Sequence, residues 1–156
     1  MDITISKLTA SSKNEVLTIA QWFDSWHEWP KPTWTLDKIC KKLSTRSKKG
    51  SFPAIFVAKS GKEVVATISL GRFDDTKKSP MYYPWIMDAY VANPYRKQGI
   101  FRQMLSHACN YLKALGYSKA YIRTDHTSLY EKLGFTYLEN IVIDDGRIER
   151  LYEKDL

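Results

Sequence analysis

The residues best suited to chemistry lie in the segment 91–102, which reads VANPYRKQGIFR. An apolar run ends there, a basic turn with Arg96 and Lys97 follows, and apolar residues at helical spacing begin at Ile100. The first N–H groups of a helix have no intrahelical partners, and the helix dipole adds partial positive charge beside them. The segment therefore predicts a phosphate or pyrophosphate site. An ordinary strand-to-helix turn with solvated basic side chains is the alternative, because the single Gly99 is a weak phosphate-loop signal.

The composition is that of a folded protein with a preference for anionic partners. Among 156 residues, 44% are hydrophobic and 13% aromatic, which excludes a disordered or collagen-like chain. This length suits one domain, so we expect a single domain over residues 1–156. Lys and Arg number 24 against 17 Asp and Glu, for a net charge of +7. That balance favours nucleic acid, an acidic membrane surface or a phosphorylated cofactor, and does not choose among them.

The cysteines and the apolar segments predict a reduced, cytoplasmic protein. Cys40 and Cys109 are far apart and form no C-x-x-C pair, so neither a metal site nor a disulfide framework is expected. The first twenty residues mix polar and apolar types without the apolar core of a signal peptide. Because no apolar run is long enough to span a bilayer, no membrane partner is expected either.

Hydrophobic periodicity predicts the element order β-α-α-β-β-β-α-β-α-β-β around this turn. The predicted strands are residues 3–8, 52–58, 63–70, 82–92, 117–124, 135–143 and 147–152. The first helix is expected to begin with a capping box of Ser12 and Glu15 and to end before Pro30. Thr35 can cap the second helix, and Gly116 is placed to end the helix 99–115. A short helix over 127–133 precedes the last two strands, which the hairpin signal Asp144-Asp145-Gly146 joins.

Two segments resemble the signatures of a known superfamily. Residues 96–101, Arg-Lys-Gln-Gly-Ile-Phe, resemble the Arg/Gln-x-x-Gly-x-Gly/Ala motif of the GNAT superfamily of acyl-CoA N-acyltransferases. Residues 129–135, Leu-Tyr-Glu-Lys-Leu-Gly-Phe, resemble its second signature, and the element order matches over essentially the whole chain. The implied fold is a mixed α/β sheet of six to seven strands, with splayed central strands and about four flanking helices. Phe101 departs from the motif's small residue, so its ring must point away from a bound pyrophosphate.

The resemblance implies that acetyl-CoA is the cosubstrate and that no metal takes part. The basic turn would hold the pyrophosphate, and the strand before it would pair with the pantetheine arm as an added strand does. The residues implied to bind the cofactor are Tyr90, Val91, Ala92, Arg96, Lys97, Gln98, Gly99, Ile100, Phe101, Arg102 and Tyr130.

The implied chemistry needs an acid for the departing thiolate and a base for the amine. Tyr130 would be the general acid, because a thiol pKa of about 8.5 lies within reach of a phenol near 10. The alternative is that its ring only packs in its own turn. The candidate bases are Asp88, Asp125 and His126. Asp88 stands at a position that is often acidic in relatives, and the other two follow a predicted strand. Each could instead be structural, and a proton relayed through water remains equally open.

The tryptophans allow two interpretations. Trp22, Trp26 and Trp29 are spaced as one helical face, which is more often core than pocket. In GNAT proteins, however, the first two helices overhang the acceptor pocket. Trp26, Trp29 and Trp34 could then wall that pocket and favour a cationic or apolar amine, and Trp85 has the same ambiguity.

These features lead to three hypotheses of function. The first is an N-acetyltransferase acting on a primary amine of a small molecule by direct attack in a ternary complex, since no Cys lies near either motif. The second is the same reaction on protein or peptide amines. The third is a non-catalytic basic module that binds nucleic acid or acyl-CoA, although a nucleic-acid partner would explain neither signature. The oligomeric state, a homodimer included, is left open.

Overall fold

The structure, a computed structural model, describes residues 2–26, 29 and 31–156. The seven strands are β1 Ile3–Lys7, β2 Ala54–Ser60, β3 Glu63–Gly71, β4 Trp85–Val91, β5 Lys119–Thr124, β6 Thr136–Val142 and β7 Ile148–Asp155. The described residues form three α-helices, α1 Lys13–Asp24, α2 Leu36–Ser47 and α3 Ile100–Ala114, and three single 3-10 turns, Ser79–Met81, Asn93–Tyr95 and Glu131–Leu133. Within these residues, no helix is long and apolar enough to cross a membrane.

The strands form one mixed sheet in the order β1-β2-β3-β4-β5-β7-β6. β5 runs parallel to β4, with Trp85 opposite Tyr121, whereas β7 is antiparallel to both β5 and β6. The predicted hairpin 144–146 is confirmed, since Val142 and Ile148 pair across it. The predicted α/β class and strand number are also confirmed. The described helices number three rather than about four, because the predicted helix 127–133 is only the 3-10 turn Glu131–Leu133.

By its internal contacts the chain divides into two compact units. Unit 1 comprises the chain up to Ser69 together with Ala89–Met104, and unit 2 comprises Leu70–Asp88 together with Leu105–Leu156. The core of unit 1 is formed by side chains of α1, α2 and β2, such as Phe23 and Ile39. The core of unit 2 centres on Trp85, Ile141 and Leu151. That the whole chain is a single domain stays a prediction.

Helix α1 ends earlier than predicted. It stops at Asp24, where the Ser25 hydroxyl donates to the Trp22 carbonyl (3.0 Å). Beyond it, the amides of Trp26 and Trp29 donate to carbonyls three residues back, not four residues back as in an α-helix. Trp26 and Trp29 therefore do not continue a helical face with Trp22. His27 and the predicted stop at Pro30 lie outside the described residues.

The two predicted N-caps have different outcomes. Thr35 caps α2 as predicted, since its hydroxyl accepts from the Lys38 amide (3.4 Å). The capping box of α1 was wrong, because Ser12 makes no side-chain cap and its hydroxyl instead bonds that of Thr9 (2.9 Å). Glu15 pairs with Lys59 of β2. One local partner, Thr9, and one partner from β2, Lys59, thus replace the predicted caps.

Candidate active site

The predicted strand-turn-helix is present, and its turn lies in unit 1. After β4 the chain makes the 3-10 turn Asn93–Tyr95, enters the left-handed region at Lys97 (φ 61°) and Gly99 (φ 79°), and begins α3 at Ile100. The Gln103 amide donates to the Gly99 carbonyl (3.1 Å), so the helix bonds back to the residue that precedes it. Amides before such a bond are the orphan donors that bind anions.

The surface of this turn suits a phosphate group. Its basic and polar side chains are exposed, namely those of Arg96, Lys97, Gln98 and Arg102. A Cβ built on Gly99 would meet no atom within 4 Å, so open space lies beside the backbone there. Ile100 is buried and Phe101 half-buried, in keeping with a Phe101 ring turned away from the anion. Charge, open backbone and helix start together fit a pyrophosphate.

The end of β4 is already partly engaged in hydrogen bonds. The Ala92 amide donates to the Val65 carbonyl of β3 (2.9 Å). Successive residues of a strand direct their backbone groups to opposite edges, so those of Val91 face away from β3. Of the three residues predicted to pair with pantetheine, Val91 is thus the one whose amide and carbonyl lie at the edge of β4 away from β3. Its carbonyl accepts a hydrogen bond from Nε of Arg96 (2.8 Å).

The same strand is irregular at its middle. Asp88 has φ 51°, in the left-handed region, which cannot continue an extended pleat. Asp and Asn tolerate this conformation better than other residues with side chains. The prediction that a bulge could alter the alternation of β4 therefore agrees with the backbone. Asp88 itself is half-buried.

Tyr130, in unit 2, lies directly before the 3-10 turn Glu131–Leu133 and is only 8% exposed. Its ring lies 5.7 Å from those of both Phe135 and Tyr152. Burial, and to a lesser degree the charge of Asp125, raises the pKa of Tyr130 to about 12. The Tyr130 ring therefore packs against its neighbours, as the packing alternative supposes. Its phenol is protonated at neutral pH. A neutral hydroxyl is what a donor to a thiolate requires.

The other two candidate bases lie beyond the end of β5. Asp125 and His126 are both exposed, and the His126 amide donates to the Thr124 hydroxyl (3.1 Å). Asp125 is near enough to Tyr130 for its charge to raise the pKa of the phenol. Asp125 and Tyr130 therefore interact electrostatically within unit 2.

A buried ion cluster in unit 2 was missed by the sequence reasoning. Arg123 of β5 lies 3.0 Å from Asp74 Oδ1 and 2.7 Å from Glu149 Oε1, and Asp75 is 3.7 Å away. Burial and the charge of Asp88 raise the pKa of Asp74 to about 6, against the opposing charge of Arg123. Asp74 falls in a segment that looks like a polar loop, and no motif links it to Arg123. Only the sheet brings them together.

The predicted pocket tryptophans divide into two kinds. Trp85 is fully buried (0%) and Trp29 nearly so, which favours the packing alternative for both. Trp26 and Trp34 are half-buried in unit 1. The Lys42 ammonium lies 4.5 Å from the Trp34 ring centre, so this ring face already accepts a cation. No group of three or more metal-ligating side chains lies together in the described part of the chain.

Solved structures with the same fold are acetyltransferases. An N-acetyltransferase from Staphylococcus aureus Mu50 has a TM-score of 0.71 at 18% identity, covering 99% of this chain and 98% of that one. The structure of yncA from Salmonella typhimurium with its cofactor acetyl-CoA gives 0.74 at 16%, covering 100% and 95%. A spermidine N-acetyltransferase SpeG chimera from Vibrio cholerae and hSSAT gives 0.72 at 13%, covering 99% and 96%. At these identities the likeness establishes the fold.

The family follows from the sequence itself. The acetyltransferase (GNAT) family matches residues 16–135, which is more than half of the chain and includes both signature segments. The chain therefore belongs to the GNAT acetyltransferase family. Among curated proteins no significant sequence match is found.

Proposed function

We propose that this protein transfers the acetyl group of acetyl-CoA to a primary amine of a small molecule, by direct attack in a ternary complex. The observation that carries the proposal is the basic turn at the start of α3 in a member of the GNAT family. Exposed Arg96, Lys97 and Arg102 beside open backbone at Gly99 match the charge and shape of a pyrophosphate.

The reaction requires two proton movements. The neutral amine nitrogen attacks the thioester carbonyl carbon, a C–N bond forms, and the C–S bond breaks as the thiolate departs. We assign Tyr130 the hydrogen bond that stabilises this thiolate, because its hydroxyl is protonated at neutral pH. The proton lost by the amine goes to Asp88, Asp125 or His126, or through water to solvent. No covalent acyl-enzyme is needed in this scheme.

The acceptor is proposed to be a cationic amine. An ammonium group binds favourably over the face of a tryptophan ring. The Lys42 ammonium, 4.5 Å from the ring centre of Trp34 and 5.2 Å from that of Trp29, is an intramolecular example in unit 1. Half-buried Trp26, whose ring packs against those of Phe23 and Tyr90, is assigned to the same pocket wall.

A panel of primary amines, assayed by release of free CoA thiol, tests the proposal. Polyamines, amino acids, amine antibiotics and peptides with free N-termini or lysines should be compared at equal concentration. Acetylation of one small-molecule class supports the proposal, whereas acetylation of peptides alone favours the protein-directed alternative. Saturable acetyl-CoA binding without transfer to any acceptor would leave an acyl-CoA-binding module. Absence of acetyl-CoA binding would refute the cofactor assignment itself.

A further inference from the structure

The side chain of Arg96 is held against β4 in unit 1 by two interactions. Its Nε donates to the Val91 carbonyl (2.8 Å), and its guanidinium carbon lies 5.4 Å from the ring centre of Tyr90. Tyr90 is in turn stacked on Trp22, with ring centres 5.0 Å apart. The first residue of the basic turn thus folds back over the strand that precedes it.

This position has a consequence for the edge of β4. The Ala92 amide is bonded to Val65, so the amide and carbonyl of Val91 face the edge away from β3. An added strand must use those groups, because only they point to that edge at this end of β4. The Val91 carbonyl is therefore the acceptor that a pantetheine N–H would need. In the free protein Arg96 occupies it.

We propose that Arg96 is a specificity-determining latch. In the free protein its side chain bonds the Val91 carbonyl, and when an acyl-CoA binds, the side chain moves from that carbonyl to the pyrophosphate. The strand then accepts the pantetheine arm readily only when phosphates are attached to that arm. The inference rests on the proposed use of acetyl-CoA, and it adds a reason for the enzyme to reject shorter acyl thioesters.

The exchange is favourable only for a charged ligand. The neutral Val91 carbonyl accepts one hydrogen bond from Arg96, whereas a phosphate is itself charged and can accept two parallel N–H bonds from a guanidinium, so a pyrophosphate can compete for Arg96. The opposing cation–π contact is weak, because Arg96 is exposed. An acyl-pantetheine without phosphates offers Arg96 no such replacement. To bind, it must break the hydrogen bond between Arg96 and the Val91 carbonyl, and the guanidinium then has only water as a partner.

Binding of acetyl-CoA and of S-acetylpantetheine to Arg96→Met, by calorimetry, tests the latch. Met keeps the apolar stem over Tyr90 but has no N–H donor. We expect acetyl-CoA to bind about 10-fold more weakly, and S-acetylpantetheine several-fold more tightly, than to wild type. The matched control is Lys97→Met, which removes a positive charge from the same turn. It should weaken acetyl-CoA binding and leave S-acetylpantetheine affinity unchanged.

The opposite signs for the two ligands are the decisive feature. A purely structural role for Arg96 would weaken both ligands, and that result overturns the inference, as does unchanged S-acetylpantetheine affinity. If Arg96→Met fails to fold, Arg96→Leu decides, since it also lacks an N–H donor to the Val91 carbonyl and should still gain S-acetylpantetheine affinity. Wild-type protein that binds no acetyl-CoA would refute the proposed function and the latch together. Normal acetyl-CoA binding with no gain in the variants refutes the latch alone.

Discussion

Arg123 Nε lies 3.0 Å from Asp74 Oδ1 in unit 2, and the two side chains are only 10% and 7% exposed. Withdrawal from water disfavours the charged carboxylate more than this ion pair favours it, and the charge of Asp88 adds a smaller penalty. The pKa of Asp74 is consequently raised to about 6. The loop 72–78 is thus joined to β5 through a carboxyl that titrates just below neutral pH.

Asp74 should therefore make the stability of the protein depend on pH in an unusual direction. Between pH 4 and 6 the folded state holds a proton on Asp74 that the unfolded state has released, so the free energy of unfolding falls as pH rises. A shift of about two pKa units corresponds to about 3 kcal/mol, present below pH 4 and lost above pH 6. Asp74→Asn should remove this component, measured by chemical denaturation of both proteins from pH 4 to 8.

Asp75→Asn is the matched control, since Asp75 faces the same guanidinium but is 70% exposed. The Asp75→Asn protein should keep most of the fall in stability between pH 4 and 6, because the charge of Asp75 is the smallest cause of the raised pKa of Asp74. An Asp74→Asn protein whose stability runs parallel to wild type across this range would show that Asp74 has an ordinary pKa in the folded state.

Gly99→Asp should abolish the stabilisation of the protein by acetyl-CoA. Gly99 has φ 79°, and Asp would add a negative charge beside the proposed pyrophosphate. At 100 times its Kd a ligand adds about 2.7 kcal/mol, or about 5–10 °C in Tm for a chain of this size. Gly61→Asp controls for backbone strain, because Gly61 also has positive φ (61°) and open space around it. Both variants should lose stability, and only Gly61→Asp should keep the acetyl-CoA shift.

How far the sequence predicts this molecule depends on how local each signal is. The turn 93–99, the cap at Thr35 and the hairpin at 144–146 were predictable, because a few adjacent residues determine them. The capping box at Ser12 was not, since Glu15 pairs instead with Lys59 of a strand far along the chain. The end of α1 was missed because helical spacing does not anticipate that the Phe23 ring stacks on that of Trp29 (5.0 Å).

The same distinction applies to the candidate site. The two signatures are contiguous, one in unit 1 and one in unit 2, so the sequence alone identifies them. The Arg96 bond to Val91 and the Asp74–Arg123 pair depend on how the chain folds back on itself. No spacing rule marks them in advance.

Replacement of each candidate base should identify the group that takes the amine proton. We expect one of Asp88→Asn, Asp125→Asn and His126→Gln to lower turnover at pH 7 and to recover partly at higher pH, where more amine is already neutral. Asn tolerates the φ of 51° at Asp88, so that variant tests charge rather than backbone. The pH dependence of kcat for all three is the measurement. Three profiles identical to wild type would assign proton removal to water alone.

Tyr130→Phe should lower turnover about 10²–10³-fold, the usual range for loss of one hydrogen-bond donor that stabilises developing negative charge. With a pKa of about 12, the phenol is a weaker acid than a thiol near 8.5, so its hydroxyl supplies a hydrogen bond to the thiolate rather than an early proton transfer. Acetyl-CoA affinity should change little, because one neutral hydrogen bond contributes about 0.5–1.5 kcal/mol.

Tyr152→Phe is the matched control. It removes a neighbouring buried hydroxyl, which donates to Glu131 Oε1 (2.7 Å), and it should affect stability more than kcat. Steady-state kinetics on a good amine substrate decide the matter, and near-normal turnover in Tyr130→Phe would leave Tyr130 a packing residue against Phe135.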